Sequence, residues 1–215
     1  MFRKILTQPI PMPQALSSTR SLLRHWRLID VLLLWPTGIL CGVASGALMN
    51  AVNGWISLKS FRTYFVPNLL FLPDNLTRWE TVVQHGVWEG FCFGVGFSFV
   101  FTIYVALVSR LSCPYKIGAL ALIRTVGFLW IVSLLSGFNA ILLSQFAPQI
   151  TDRLGGLSVA EAMAYGFTRS ETFKENWVWG SINGIYVFGL FAVITGCIWF
   201  SADWRKYKSQ HKANT

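Results

Sequence analysis

The sequence has 215 residues, of which 53% are apolar and only 13% are charged, and its mean hydropathy is +0.50. Because about a quarter of the residues in a soluble domain are charged, this composition excludes a freely soluble enzyme and predicts an integral membrane protein. Ten Trp and 17 Phe residues agree with this, since aromatic rings are enriched where a bilayer meets water. The formal net charge is +9, and its meaning depends on where the basic residues lie along the chain.

Residues 1–29 form a basic N-terminal tail without acidic residues. The tail has no short apolar run that ends in a small-residue cleavage site, so a cleavable secretory signal is not expected. Two interpretations stay open. The tail is either a mitochondrial targeting segment or an amphipathic helix that lies on the membrane and leads into the first span, with Leu22, Leu23, Trp26 and Ile29 on its apolar face.

Four stretches of at least 20 uncharged residues predict four transmembrane helices, because about 20 apolar residues cross the hydrocarbon core as a helix. We place the spans near residues 30–52, 86–108, 118–145 and 178–201, within a membrane domain of residues 30–201. The stretches lack the period-two alternation of barrel strands. The predicted fold is therefore all-α, and a basic tail at residues 202–215 follows it.

Pro36 lies inside the first span, where a proline removes a helix hydrogen bond and should kink the chain. The alternative is that the first helix begins at Pro36, after a separate surface helix. Between the third and fourth spans, Ser158 with Glu161 and Thr168 with Glu171 have the spacing of capping boxes. They predict two short helices on the membrane surface.

The basic residues are concentrated on one side of the predicted membrane. The two tails and the loop after the second span hold eleven basic residues and one acid, whereas residues 53–85 and 146–177 hold six of each. By the positive-inside rule, both termini then lie on the cytoplasmic or matrix side. The surplus also favours contact with anionic lipids such as cardiolipin. Nucleic-acid binding is not indicated, since no polar segment interleaves basic residues with stacking aromatics.

Small residues recur at intervals of four in three of the spans. Such positions share one helix face and allow helix backbones to approach closely in lipid. This pattern predicts helix-packing faces, which consist of Gly38, Gly42 and Gly46 in the first span, Gly86, Gly90, Gly94 and Ser98 in the second, and Gly180 and Gly184 in the fourth.

Ionisable residues inside a membrane are costly and are therefore candidates for a functional site. Asp30 and Arg124 are predicted at comparable depth on the basic side, so an interhelical ion pair is expected, with extension of Arg124 to the lipid headgroups as the alternative. His85 and Glu89 are four residues apart and share a helix face. A structural or interfacial role is favoured for them over a proton relay or a metal site.

No catalytic constellation, cofactor site or metal site is predicted. The three His residues, His25, His85 and His211, are not placed to ligate a haem from facing spans. The four Cys residues show no paired spacing, and no phosphate-binding loop or nucleophile elbow is present. Structural phospholipids are the only bound molecules that we expect.

Two segments resemble the family of mitochondrial inner-membrane translocase (Tim) proteins, which also includes a four-helix accessory subunit of respiratory complex I. The first comprises residues 26–30 and 46–55, WRLID and GALMNAVNGW, and the second is GVWEG at residues 86–90, with a fainter similarity at residues 180–185. The resemblance implies four tilted helices in a curved sheet with a concave surface. It would place Asp30, Glu89, Asn53 and Asn183 along that surface, and it implies that both termini face the intermembrane space, opposite to the charge count.

Three functions remain in order of preference. The first is a non-catalytic subunit of a larger inner-membrane assembly, such as an accessory subunit of a respiratory complex, with other membrane subunits as partners. The second is a subunit of a protein translocase. The third is a small transporter or proton-relay protein built on Asp30, His85, Glu89 and Arg124. The expected location is the mitochondrial inner membrane, with a bacterial inner membrane as the alternative.

Overall fold

The computed structural model describes residues 27–58, 79–154, 156, 158–164 and 166–212. Four long helices account for most of them, and two short helices lie between the third and the fourth long helix. In chain order the helices are α1 (Leu34–Ile56), α2 (Trp79–Ser109), α3 (Tyr115–Phe146), α4 (Pro148–Arg153), α5 (Val159–Ala164) and α6 (Arg169–Lys212).

The four long helices are all long and apolar enough to cross a membrane, with mean hydropathies of 1.8 to 2.2 in their most apolar windows. This confirms the predicted all-α fold with four membrane-spanning helices. The predicted amphipathic face before the first span and the loop at residues 59–78 fall outside the described residues, apart from Ile29, which is 47% exposed.

The first span is helical on both sides of an interruption at Leu33. Residues 27–32 are helical, and α1 begins one residue after Leu33. Pro36 explains the position of the interruption, because its ring has no N–H to donate and would clash with the carbonyl of residue 32 in a regular helix. The span therefore begins before Pro36, and the alternative in which the helix begins at this proline is not observed.

Helix α6 is much longer than the predicted span of residues 178–201. Its 44 residues extend over about 66 Å at the usual rise per residue. The capping box predicted at Thr168 is formed, since the Thr168 N–H donates to Glu171 Oε2 (2.8 Å) and the Glu171 N–H donates to Thr168 Oγ1 (3.2 Å). It begins the fourth span itself, not a separate surface helix. Only the box at Ser158 precedes a short helix, α5.

The long helices form two pairs. Helix α1 packs closely against α2, and α3 packs closely against α6, whereas contacts between the pairs are sparser. A turn at residues 110–114 joins the pairs, with Arg110 and Leu111 in the left-handed region at φ 53° and 57°. The main apolar core lies between the pairs near this turn, where Phe101, Leu122 and Phe200 are fully buried.

Candidate functional site

The predicted glycine faces of α1 and α2 meet each other. A Cβ atom built on Gly42 would lie 2.4 Å from the carbonyl oxygen of Gly90, and one on Gly46 would lie 2.1 Å from that of Gly86. Further towards the turn, a Cβ on Gly38 would lie 2.3 Å from the Ser98 Cβ, and one on Gly94 would lie 3.1 Å from the backbone of Ile39. We call this contact the glycine seam. Its backbones are too close to admit side chains.

The small residues of the fourth span lie against α3. A Cβ atom on Gly180 would lie 2.5 Å from the Ala140 Cβ, and one on Gly184 would lie 2.6 Å from the side chain of Ser136. Nearer the C-terminus of α6, a Cβ on Gly196 would lie 2.5 Å from the hydroxyl of Thr125. In this second seam the atom nearest to each of these three Cβ positions belongs to a side chain, although the carbonyl oxygen of Ser136 also lies 2.6 Å from the Cβ on Gly180.

His85 and Glu89 belong to a four-residue polar cluster near the ends of α1 and α2 that are remote from the 110–114 turn. His85 Nε2 lies 3.0 Å from Glu89 Oε1, as their spacing predicted. Asn50 of α1 donates to Glu89 Oε2 (3.2 Å), and the hydroxyl of Tyr186 on α6 donates to Glu89 Oε1 (2.5 Å). The carboxylate thus contacts α1 and α6 as well as its own helix. Asn50 and Tyr186 were not among the predicted site residues, since neither stands out in its own span.

Other polar contacts also connect the two helix pairs. Ser181 donates to Asn53 Oδ1 (3.0 Å), and the hydroxyls of Tyr104 and Ser201 lie 2.6 Å apart. Asn53 has no exposed surface in the structure, whereas the resemblance would place it along a concave surface together with Asp30, Glu89 and Asn183. Asn183 lies in a groove on α3 and α6, described below, and its amide donates to the carbonyl of Trp179 (2.8 Å).

Arg124 does not pair with Asp30 as predicted. Its Nη1 atom lies 2.7 Å from Oδ2 of Asp203, near the C-terminal end of α6. The prediction was wrong because Arg124 lies nine residues inside α3, whereas Asp30 precedes α1 and lies beside the turn that contains Cys113. The side chains of Arg124 and Asp203 are 46% and 30% exposed, so the pair forms at a partly open surface.

Cys113 is the buried thiol of the 110–114 turn, with no exposed surface. Its Sγ atom donates to the carbonyl of Pro114 (3.2 Å). Burial, and to a smaller extent the negative charge of Asp30, raises the pKa of the thiol to about 12. At neutral pH the thiol is therefore protonated and unreactive, which fits a packing role.

A cavity of about 90 Å³ lies between the two helix pairs, and all four long helices line it. The glycine seam and the side chains of Phe93, Phe97, Trp130 and Ile185 form its apolar walls. Glu89, Asn50 and Tyr186 lie at one end. The described lining residues include no Lys, Arg or His and one acid, Glu89.

A second, shallow groove lies on the outside of α3 and α6. Asn139 and Asn183 both line it, together with Ser136 and apolar side chains. Asn139 is exposed and has no hydrogen-bond partner within the described part of the chain. It lies seven residues before the end of α3, or about 10 Å inside the helix end.

Within the described residues, no three His, Cys, Asp or Glu side chains lie close enough together to hold a metal ion. The chemistry available at the polar cluster is hydrogen bonding to one carboxylate. The fold and these contacts define a four-helix membrane protein with an apolar cavity and two seams of small residues. No protein-family model matches the chain, and no curated protein or solved structure matches it either.

Proposed function

We propose that the protein is a non-catalytic subunit that packs in a larger inner-membrane assembly, as an accessory subunit of a respiratory-chain complex. The observation that supports this most directly is the exposed carboxamide of Asn139 in the outer groove of α3 and α6. An unpartnered polar side chain is costly where it faces lipid, and a polar group on a neighbouring transmembrane helix would remove that cost.

Several polar groups of the spans support a structural role, since they bind other helices of the same chain. Glu89 binds α1 and α6, Asn53 binds Ser181, and Arg124 binds Asp203. The assignment to a respiratory complex draws on the resemblance of residues 26–30, 46–55 and 86–90 to the family that contains such a subunit. An inner mitochondrial location, contact with cardiolipin and matrix-facing termini belong to the same proposal.

Native gel electrophoresis of gently solubilised membranes tests the proposal. The wild-type chain should migrate within a large assembly, and Asn139→Leu should release a fraction of it to lower mass. Leu107→Ala, at a 73% exposed position of α2, is the control and should leave migration unchanged. A wild-type chain that runs alone at about its own 24.2 kDa would contradict the proposal.

A translocase subunit is the second candidate, favoured by the carboxylate of Glu89 at the end of a cavity between helices. The test is a photoreactive residue placed at position 185, which lines the cavity, during import of a stalled precursor. Crosslinks to the precursor would favour the translocase, whereas recovery of respiratory subunits with the native assembly and no precursor crosslink would favour the accessory subunit.

Of the three functions, the proton relay receives the least support from the positions of its residues. On α6, Tyr186 contacts Glu89 and Asp203 contacts Arg124. These two residues of α6 are 17 positions apart, which corresponds to about 25 Å along the helix. Asp30 lies beside the 110–114 turn, on the Arg124 side. The four proposed relay residues thus fall into separate groups. Unchanged proton flux in vesicles that carry Glu89→Gln would remove this hypothesis.

A further inference from the structure

The lining of the apolar cavity between the helix pairs runs along much of α1. On this helix it extends from Gly38 to Asn50, which corresponds to about 18 Å of helix axis. Half the hydrocarbon thickness of a bilayer, and hence the length available to one acyl chain, is about 15 Å. The two lengths match, and because the enclosed volume of about 90 Å³ is smaller than an acyl chain, the chain would lie along this lining with part of its surface facing the bilayer.

The cavity is too apolar to be held open by water. Its volume of about 90 Å³ is several times what one water molecule needs, but apolar cavities stay dry, and an empty one forfeits packing contacts. The walls are formed by glycine backbone and by the rings of Phe93, Phe97 and Trp130. In a bilayer the group available to fill such a space is a lipid chain.

The polar end of the cavity is open to the outside. Tyr186 is 59% exposed, and the side chain of Glu89 is 26% exposed. Glu89 offers carboxylate oxygens that accept hydrogen bonds, and Asn50, which donates one N–H to Glu89, has a second N–H for a phosphate oxygen. The single O–H of Tyr186 is already donated to Glu89. This arrangement complements a headgroup that carries an ammonium donor next to a phosphate acceptor. An anionic headgroup would instead place its net negative charge against the carboxylate.

We propose that the cavity binds one chain of a phospholipid with a primary ammonium headgroup, a phosphatidylethanolamine, whose ammonium group donates to Glu89. The N–H groups distinguish this lipid from a phosphatidylcholine, which has the same charge but no ammonium donors. This lipid site is distinct from any contact with anionic lipids on the basic side of the protein. It also does not depend on the proposed membership of a larger assembly.

Native mass spectrometry of the full chain, purified from nanodiscs of equimolar phosphatidylethanolamine, phosphatidylcholine and phosphatidylglycerol, tests the proposal. The wild-type chain should retain phosphatidylethanolamine at least about fivefold over either competitor, which corresponds to about 1 kcal/mol of selectivity. Glu89→Gln keeps one acceptor oxygen, for either Asn50 or Tyr186, and loses the charge, so it should retain the three lipids nearly equally. Glu80→Gln, at an exposed acid outside the cavity on the same helix, should keep the wild-type preference.

A second variant tests the cavity independently of its charge. Ile185→Trp fills the space along α6 and should abolish retention of the lipid, while the melting temperature shows whether the chain still folds. The proposal is overturned if the wild-type chain retains the three lipids equally or prefers phosphatidylglycerol, or if Glu89→Gln keeps the preference. It is also overturned if a folded Ile185→Trp variant binds as much lipid as the wild-type chain.

Discussion

The two helix pairs are held together by different kinds of close contact. In the glycine seam of α1 and α2, the nearest neighbours of Gly42 and Gly46 are carbonyl oxygens of the facing helix. In the seam of α3 and α6, the nearest neighbour of Gly196 is the hydroxyl of Thr125, whereas Gly180 and Gly184 meet the Cβ atoms of Ala140 and Ser136. A backbone or Cβ atom moves only with its helix, whereas a hydroxyl can rotate. The position of Gly196 should therefore tolerate added volume better than Gly42 and Gly46 of the glycine seam.

The largest effect is expected for Gly46→Ala in the glycine seam. The new methyl group would lie 2.1 Å from the Gly86 carbonyl oxygen, so the helices must separate along several contacts at once. Overpacking of this kind costs about 3 kcal/mol. Thermal unfolding in detergent should show a large fall in melting temperature. Gly96→Ala, on the open side of α2 with no atom within 4 Å, is the matched control. Equal losses in both variants would mean that the seam is not packed as described.

A smaller effect is expected for Gly196→Ala in the second seam. The new methyl group meets the Thr125 hydroxyl, which can turn away at the expense of its hydrogen bond to the carbonyl of Ala121. The loss of one hydrogen bond costs about 1 kcal/mol. Thr125→Ala removes the obstructing hydroxyl, so the double variant should be no less stable than Thr125→Ala alone. Additive losses in this double-mutant cycle would show that the two residues do not interact.

The smallest effect concerns Cys113, where the chain passes from the first pair to the second. In a chain that keeps this Cys alone, alkylation by iodoacetamide at pH 8 should be slow in the folded protein and fast after unfolding. Two causes act together: the thiol is buried away from the reagent, and its pKa is about 12 in the folded state against an ordinary value of 9.0. Between these pH values the unfolded thiol loses its proton and the folded one keeps it, so stability should fall as pH rises. A native thiol that titrates near 9 would show that the turn is open.

The four spans were predictable because charged residues interrupt the apolar stretches, but the ends of the helices were not. Lys174, Glu175 and Arg205 belong to α6, since a charged residue ends an apolar stretch without ending a helix. The capping box at Thr168 was recognised correctly, yet the sequence could not say that the helix it begins is the fourth span.

Contacts along one helix were also easier to predict than contacts between helices. The spacing of His85 and Glu89 placed them together, because a helix fixes the distance between residues four apart. Contacts with Asn50, Tyr186 and Asp203 depend on how far one helix is shifted along its axis relative to its neighbour. The packing of the seams sets this shift, and the sequence of a single span does not encode it. For this reason the ion pair of Arg124 was assigned to Asp30 when its partner is Asp203.

Helix α6 extends over about 66 Å, roughly twice the hydrocarbon thickness of a bilayer. Its C-terminal part carries a row of rings, with Trp204 and Tyr207 5.4 Å apart and Tyr207 and His211 4.0 Å apart. The helix continues without a break from Arg169 to Lys212, so one element joins the cavity lining at Tyr186 to the basic C-terminal end. A change in the tilt of such a helix within the membrane would displace its C-terminal end sideways.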